Sequence, residues 1–321
     1  MKRCATILVL CVGVCASGEA LAQPHALQSI GCHTNPTDLA QAHISPLHDD
    51  AVIEHRDFAG AKRIVGNEPV KHTYVAFTFD DGPHAPTTSK VLDALDKYNI
   101  PATFFVVGWR ITGVKPETRR NQAVLKRAIR SGYTIANHTY KHPDMSKQSL
   151  ARIRSEVERT SDAIARFTGY RPYLFRPPYG NVNNRVRNYL ISEEYIEVRW
   201  TTDSADFKIR NGERLMKRTL KSIQSWKGGV VLFHDTKPTT AKIMKTFFGR
   251  LERLNCRRWK SKKPMYIPVS LHYFTWKRNR KNPGLKDQGP RAIPAAVKAR
   301  TQRYIRKLTN RCKTRLSKKK T

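Results

Sequence analysis

From residue 73 onward, short apolar runs alternate with longer stretches of helical period. The runs fall at 73–79, 102–107, 133–136, 173–176, 195–200, 229–233 and 265–269. Bounded by polar and turn-forming residues, each reads as a buried strand. The clearest helix follows Ser146, where Leu150, Ile153, Val157, Ile164 and Phe167 recur on one face. Gly169 stands where a C-terminal glycine belongs. A second helix begins near Thr87 or Thr88, with Val91, Leu92, Leu95 and Tyr98 facing inward. Strands alternating with helices predict an α/β fold on a parallel sheet, open or closed as a (β/α) barrel.

The two ends of the chain depart from this pattern. Residues 23–70 are polar, with scattered Pro and His and no sustained period, and predict an irregular extension. Ahead of them, Lys2 and Arg3 precede an apolar stretch from Ala5 to Ala16, and Ala20-Leu21-Ala22 fits a small-x-small cleavage site. That is the layout of a signal peptide over 1–22, and its apolar core is too short to span a bilayer. The expectation is export, to the periplasm or the cell envelope. Residues 277–321 carry 17 Lys/Arg against the single acid Asp287. Within this basic tail Val297, Thr301, Tyr304, Ile305, Leu308 and Cys312 share one helical face, which predicts an amphipathic surface helix if the tail is not simply solvated.

Charge sharpens the picture. Lys and Arg number 60 against 25 Asp and Glu, a net +35 over 321 residues. A chain so poor in acids meets polyanions. Nucleic acid is not the partner this implies, because no nucleic-acid-binding motif is present and export removes the opportunity. The length supplies ample core without staples, and the composition excludes collagen, coiled-coil rods and disulfide-dense miniproteins. Cys4, Cys11 and Cys15 fall in the leader, while Cys32, Cys256 and Cys312 remain, with their pairing open.

Candidate chemistry gathers where predicted strands end. The first run closes in TFDDGP, and adjacent carboxylates at a strand end repel unless a cation lies beside them, so Asp80 and Asp81 divide naturally into a base and a ligand. Asp-Asp-Gly-Pro is also good turn chemistry. After the third run, NHTYKHP places His138 and His142 at i and i+4, a spacing that lets two imidazoles meet one cation. The Asn137-His138-Thr139 sequon is discounted, since a glycan there would cover the site. RPPYG holds Arg176 and Tyr179 on a backbone stiffened by two prolines, able to aim the guanidinium at a carboxylate. DSADF supplies Asp203, Asp206 and Phe207, and LFHD supplies Leu232 and His234.

Taken together and in order, these motifs resemble the five motifs of the polysaccharide deacetylases, carbohydrate esterase family 4 with its NodB-homology domain, over about residues 70–275. The resemblance implies a distorted (β/α) barrel of about seven parallel strands over 71–276. It implies Asp81, His138 and His142 as ligands of a divalent metal, zinc first, with cobalt or manganese on the same ligand types. By the same likeness Asp80 is the general base held by Arg176, and His234 is the general acid tuned by Asp206. The Tyr179 N–H receives the oxyanion, Leu232 lines the pocket for the acetyl methyl, and Asp203 and Phe207 border the substrate. Two departures bear on substrate fit. Phe207 stands where the family commonly has Trp, and residues 109–121 look longer than the usual connection.

The reading that follows is an exported metal-dependent hydrolase that removes N-acetyl groups from GlcNAc residues of a polysaccharide, peptidoglycan before chitin. Peptidoglycan stems are acidic and suit the basic tail, which would hold the enzyme to an anionic wall or membrane surface. A chitooligosaccharide deacetylase and an O-acetyl esterase use the same motifs. Two other classes stand beside it: a non-catalytic polyanion-binding surface protein, and an Fe(II) site for oxygen chemistry. The second leaves Asp80 and His234 without a purpose.

Overall fold

The computed structural model describes residues 52–53, 62–63, 72–193, 195–275 and 295–317. The leader expected over 1–22, Cys32 and most of the 23–70 extension therefore lie outside the described residues. In chain order the strands are β1 (Val52–Ile53), β2 (Lys62–Arg63), β3 (His72–Asp80), β4 (Ala102–Val106), β5 (Thr134–Asn137), β6 (Leu174–Phe175), β7 (Ile196–Val198), β8 (Thr202–Asp203), β9 (Gly229–His234) and β10 (Tyr266–Pro268). The helices are α1 (Ala85–Tyr98), α2 (Pro116–Arg130), α3 (Leu150–Thr168), α4 (Asn184–Ser192), α5 (Gly212–Ser225), α6 (Pro238–Lys260), α7 (His272–Thr275) and α8 (Ala295–Ser317).

All seven predicted strands are present and run parallel, curled into a half-barrel of order β1-β7-β6-β5-β4-β3-β9-β8, with β10 on β3. Among the described residues three two-residue strands join them; β1 extends the edge beside β7, β2 pairs antiparallel with β3, and β8 lies beside β9. Parallel strands need crossovers, and the helices supply them, so the central strands are covered on both faces and read as unbroken apolar runs. Phe79 on β3 stacks between Phe104 and Phe233 at 5.2 and 6.0 Å, and Phe77 meets the edges of Phe247 and Phe248 on α6.

Local chemistry sets the helix ends. On α3 the Ser149 hydroxyl accepts the Arg152 N–H, and Gly169 closes the helix at φ 81, a value only glycine adopts cheaply. Ile153, Val157 and Ile164 are buried as the period predicts, but Leu150 is 49% exposed. It occupies the first turn, where its side chain lies beyond the end of the core. α1 starts at Ala85, earlier than the threonines predicted to open it, because Pro86 is preformed for the first turn. Residues 109–121, an anomaly of length in sequence, split into a 3₁₀ turn at Gly108–Ile111 and the first residues of α2.

The C-terminal segment is built into the molecule. α8 packs on α6 through Tyr304, Ile305, Leu308 and Cys312, all buried, so the amphipathic stripe faces protein. Cys312 is disulfide-bonded to Cys256 on α6, and the buried Glu252 carboxylate takes Arg311 at 2.9 Å and Arg315 at 3.5 Å. Burial of the apolar side chains stabilises the dock by about 1.5–3 kcal/mol for each large one. No helix among the described residues is long and apolar enough to cross a membrane.

Candidate active site

Parallel register brings the motif residues to one end of the sheet. Asp80 closes β3 directly beside His234 at the end of β9, and Asn137 at the end of β5 pairs with Phe175 on β6. The residues that follow, His138 and Arg176, are thereby neighbours. This is the carboxyl-terminal rim, where α/β sheets collect ligand-binding side chains.

Arg176 organises the floor. It is fully buried and donates to Asp80 Oδ1 at 2.7 Å, to the Thr78 hydroxyl at 2.8 Å, and to the Val198 and Arg199 carbonyls at 3.1 and 3.2 Å. Its guanidinium also lies 4.1 Å from the centre of the Phe105 ring. A buried charge is tolerated when it is paired and fully hydrogen-bonded, and removing either partner typically costs about 3–5 kcal/mol.

Asp81, His138 and His142 form the ligand side. One oxygen or nitrogen from each can be chosen so that all three lie within 4.8 Å of one another. Asp81 Oδ1 sits 3.6 Å from His138 Nε2 and 3.2 Å from His142 Nε2. That oxygen is buried with no hydrogen-bond donor, an expensive condition unless something positive completes it. Burial works to raise the Asp81 pKa, yet the facing imidazoles outweigh it and hold the carboxyl below its usual range. His138 Nδ1 donates to the Arg176 carbonyl at 2.6 Å, which turns Nε2 toward Asp81. A ring held by a carbonyl at its far nitrogen is oriented for ligation. The three residues therefore fit a divalent cation.

His234 forms the other side. Its Nδ1 donates to Asp206 Oδ1 at 2.6 Å, and its backbone N–H donates to Oδ2 of the same carboxylate at 2.7 Å. The Thr240 hydroxyl adds a third donor at 2.5 Å. Burial disfavours the imidazolium, but Asp206 more than compensates and the His234 pKa is pushed up to about 9.

The substrate-binding expectations divide. Tyr179 lies 66% exposed at φ 60 on the turn after β6, its ring 4.9 Å from His142. Phe207 is half-exposed with its ring 5.9 Å from His234, and Leu232 is buried on β9. Asp203 turns back to accept the Ala205 N–H at 2.7 Å. It shapes the loop that delivers Asp206. Asn137 is buried and donates to the Val157 carbonyl and Ser161 hydroxyl, so its sequon is closed to a glycan.

Sequence reasoning missed three supports. Glu156 on α3 accepts the Tyr140 and Lys141 N–H groups at 2.8 and 2.6 Å and the Arg152 guanidinium at 2.6 Å. It clamps the loop between the two histidines, where Thr139 and His142 both take positive φ, 67° and 59°. The available signal was a carboxylate on an otherwise apolar helix face. Arg199, paired with the buried Glu197 at 2.6 Å, donates to the Gly180 carbonyl and props the Tyr179 turn. Asp235, its pKa raised to about 7 by burial, accepts from Thr88 and lies so close to Gly82 that any Cβ there would collide with it.

Comparisons with known proteins agree with this geometry. Residues 67–196 match the family model described as polysaccharide deacetylase. That stretch holds Asp80, Asp81, His138, His142, Arg176 and Tyr179, and stops short of Asp206 and His234. The peptidoglycan-N-acetylglucosamine deacetylase PgdA of Listeria monocytogenes is 34% identical over 56% of this chain and 36% of its own length. This chain thus spans about a third of that relative. The chitooligosaccharide deacetylase of a Bradyrhizobium is 34% identical over 51% of this chain and 71% of its own. The solved peptidoglycan deacetylase PdaC of Bacillus subtilis superposes with a TM-score of 0.52 at 30% identity, over 63% of this chain and 89% of that one. A family match across the ligand side, a relative of which most is covered, and a shared fold converge on one assignment: the chain belongs to the polysaccharide deacetylase family.

Proposed function

We propose that this protein is an exported, metal-dependent hydrolase that removes N-acetyl groups from GlcNAc residues of peptidoglycan. The observation that carries the reading is one rim on which Asp81, His138 and His142 gather around a buried carboxylate oxygen that lacks a donor, beside His234 held on Asp206. A scaffold that only bound polyanions would need neither.

The roles follow from position. A divalent cation on Asp81, His138 and His142, zinc first, supplies Lewis acidity and an acidified water. Asp80, kept in place by the buried Arg176, takes the proton as water attacks the acetyl carbon. The Tyr179 N–H receives the oxyanion. His234 hands its proton to the departing nitrogen as the C–N bond breaks, which gives acetate and a free amine. Leu232 and Phe207 bound the space for the acetyl group, and Phe207 offers no ring N–H, unlike the Trp common in the family.

PgdA and PdaC, both described as peptidoglycan deacetylases, support the substrate. The Bradyrhizobium relative keeps chitooligosaccharides as the second reading. The leader-like residues 1–22 support export, and so does the Cys256–Cys312 disulfide, which belongs to an oxidising compartment. The test is acetate release by residues 23–321 from peptidoglycan and from a chitin oligomer, with zinc and with chelator. Release from peptidoglycan that chelator stops is the expected result. Preference for the oligomer would keep the chemistry and replace the substrate, and inactivity on both despite bound metal would overturn the reading.

A further inference from the structure

We propose that the flank formed by α5, α6 and α8 is a docking face for the carboxylates of peptidoglycan stem peptides, separate from the cleft; the choice of polymer rests on the proposed function. α5 packs on α6 and α6 on α8, so the three helices are joined through α6. Together they carry 19 Lys/Arg against two acids, a net +17. The remaining crossover helices α1 to α4 carry 13 against six, a net +7. Most of the net charge of the described helices is thus carried by these three.

Both acids of the flank are already spent. Glu213 takes Arg250 in a bidentate pair at 2.5 and 2.7 Å, and Glu252 is buried beneath Arg311 and Arg315. On the other helices acids take up part of the charge: Asp93 and Asp96 hold Arg127, while Glu158 and Asp162 hold Arg171. Along α5, Arg214, Lys217, Arg218 and Lys221 follow the i, i+3, i+4, i+7 spacing, all exposed, and form no ion pair among the described residues. They line an open groove of about 480 Å³ with Ser222 and Ser225. Like charges at these spacings destabilise a helix by about 0.2–0.5 kcal/mol per pair. Nothing in the fold of α5 requires them, because its core contacts are made by Leu215, Met216, Thr219 and Ile223. A row of anions would turn that repulsion into attraction.

α8 completes the face. Its exposed side carries Arg303, Arg306 and Lys313, and the disulfide, the Glu252 bridge and the buried Tyr304, Ile305 and Leu308 fix those charges in place. A lipid surface fits poorly. Membrane-lying helices bury an apolar face in the bilayer, whereas the apolar faces of all three helices are turned inward and Trp226 is the one large apolar side chain exposed beside them among the described residues. Stem carboxylates fit better, and they persist after the sugar amines are uncovered.

The experiment compares wild type with R214E/K217E/R218E/K221E on α5 and, separately, R303Q/R306Q/K313Q on α8. Two quantities are measured: retention on insoluble peptidoglycan at low and high salt, and acetate release from a soluble chitin oligomer. The charge-reversed protein is expected to lose retention about tenfold, the neutralised one less, and both to release acetate from the oligomer as wild type does. Wild-type retention should fall with salt and with added polyglutamate. Undiminished retention by the charge-reversed protein, indifference of the wild type to salt, or stronger binding to phosphatidylglycerol vesicles than to peptidoglycan would each overturn the proposal. If wild type releases no acetate but retention behaves as expected, the docking face stands and the catalytic reading falls.

Discussion

His138 and His234 stand on opposite sides of one cleft, and the atom that each Nδ1 meets makes them chemical opposites. His138 donates its Nδ1–H to a neutral carbonyl, that of Arg176, and turns Nε2 toward Asp81. His234 gives its Nδ1 proton to a buried carboxylate that also holds its backbone, and stays charged to about pH 9. The ligand side leaves Asp81 Oδ1 without a donor, while the acid side satisfies every oxygen of Asp206 from within the protein. One side is completed from outside and the other is complete as folded. In the proposed reaction, this difference would separate a group that binds from a group that delivers a proton.

The largest break is expected at the point both sides share. Asp80 lies beside His234 in register and 3.7 Å from His138 Nε2. Asp80→Asn keeps a hydrogen-bond acceptor for Arg176 and leaves the three ligands untouched. Acetate release should fall by about 10²–10⁴-fold, the usual worth of a general base, while metal content measured by native mass spectrometry stays at wild type. Substantial residual turnover would sink the base assignment.

Next comes Asp206→Asn, which makes the acid side resemble the ligand side. Without the carboxylate, burial pulls the His234 pKa down from about 9, opposed only by the weaker pull of Asp80 and Asp81. The expected result is a loss of about 10²-fold near pH 7, with the alkaline limb of the rate profile moving down from about pH 9. The sign for stability follows from the raised native pKa. The His234–Asp206 pair stabilises the fold fully below the unfolded histidine pKa, and that stabilisation drains away as pH rises through about 9. The variant should lose this alkaline slope in melting temperature. A rate profile that keeps its alkaline limb would separate His234 from the proton donation.

Both carboxylates, both ligand histidines and the acid were legible in the sequence because each sits within a few residues of a strand end, so chain order and period alone place them on one rim. Glu156, Arg199 and the α8 dock were not, because their meaning depends on what tertiary packing sets against them. Glu156 acts on backbone N–H groups 15 and 16 residues away, and Arg199 on a carbonyl 19 residues away. Neither target has a side-chain signature. Leu150 shows the converse error: it satisfies the helical period but lies where the core ends. The apolar stripe of the 277–321 tail was legible, but the surrounding charge pointed it at a surface and not at α6, where it packs.

Glu156 sharpens the comparison on the ligand side alone. Glu156→Gln preserves shape and one acceptor oxygen but removes the charge that anchors Arg152 and two loop N–H groups. Supports of this kind are commonly worth about 10–100-fold in metal affinity. The expected loss lies at the lower end, read by competition with a chelator, with the alkaline limb set by His234 unchanged. A shift of that limb would mean that the two sides are coupled through the loop.

The smallest effect on the chemistry should come from Cys312→Ser. The disulfide joins positions 56 residues apart, and such a link stabilises a domain by about 2–4 kcal/mol, chiefly through the unfolded state. It touches neither histidine. Melting temperature should fall by several degrees, while acetate release from a soluble oligomer, below the new melting range, keeps its rate and its pH profile. If the profile moves instead, the α8 dock reaches the cleft through α6, whose Thr240 donates to Asp206. The acid side would then be complete only while the C-terminal helix is in place.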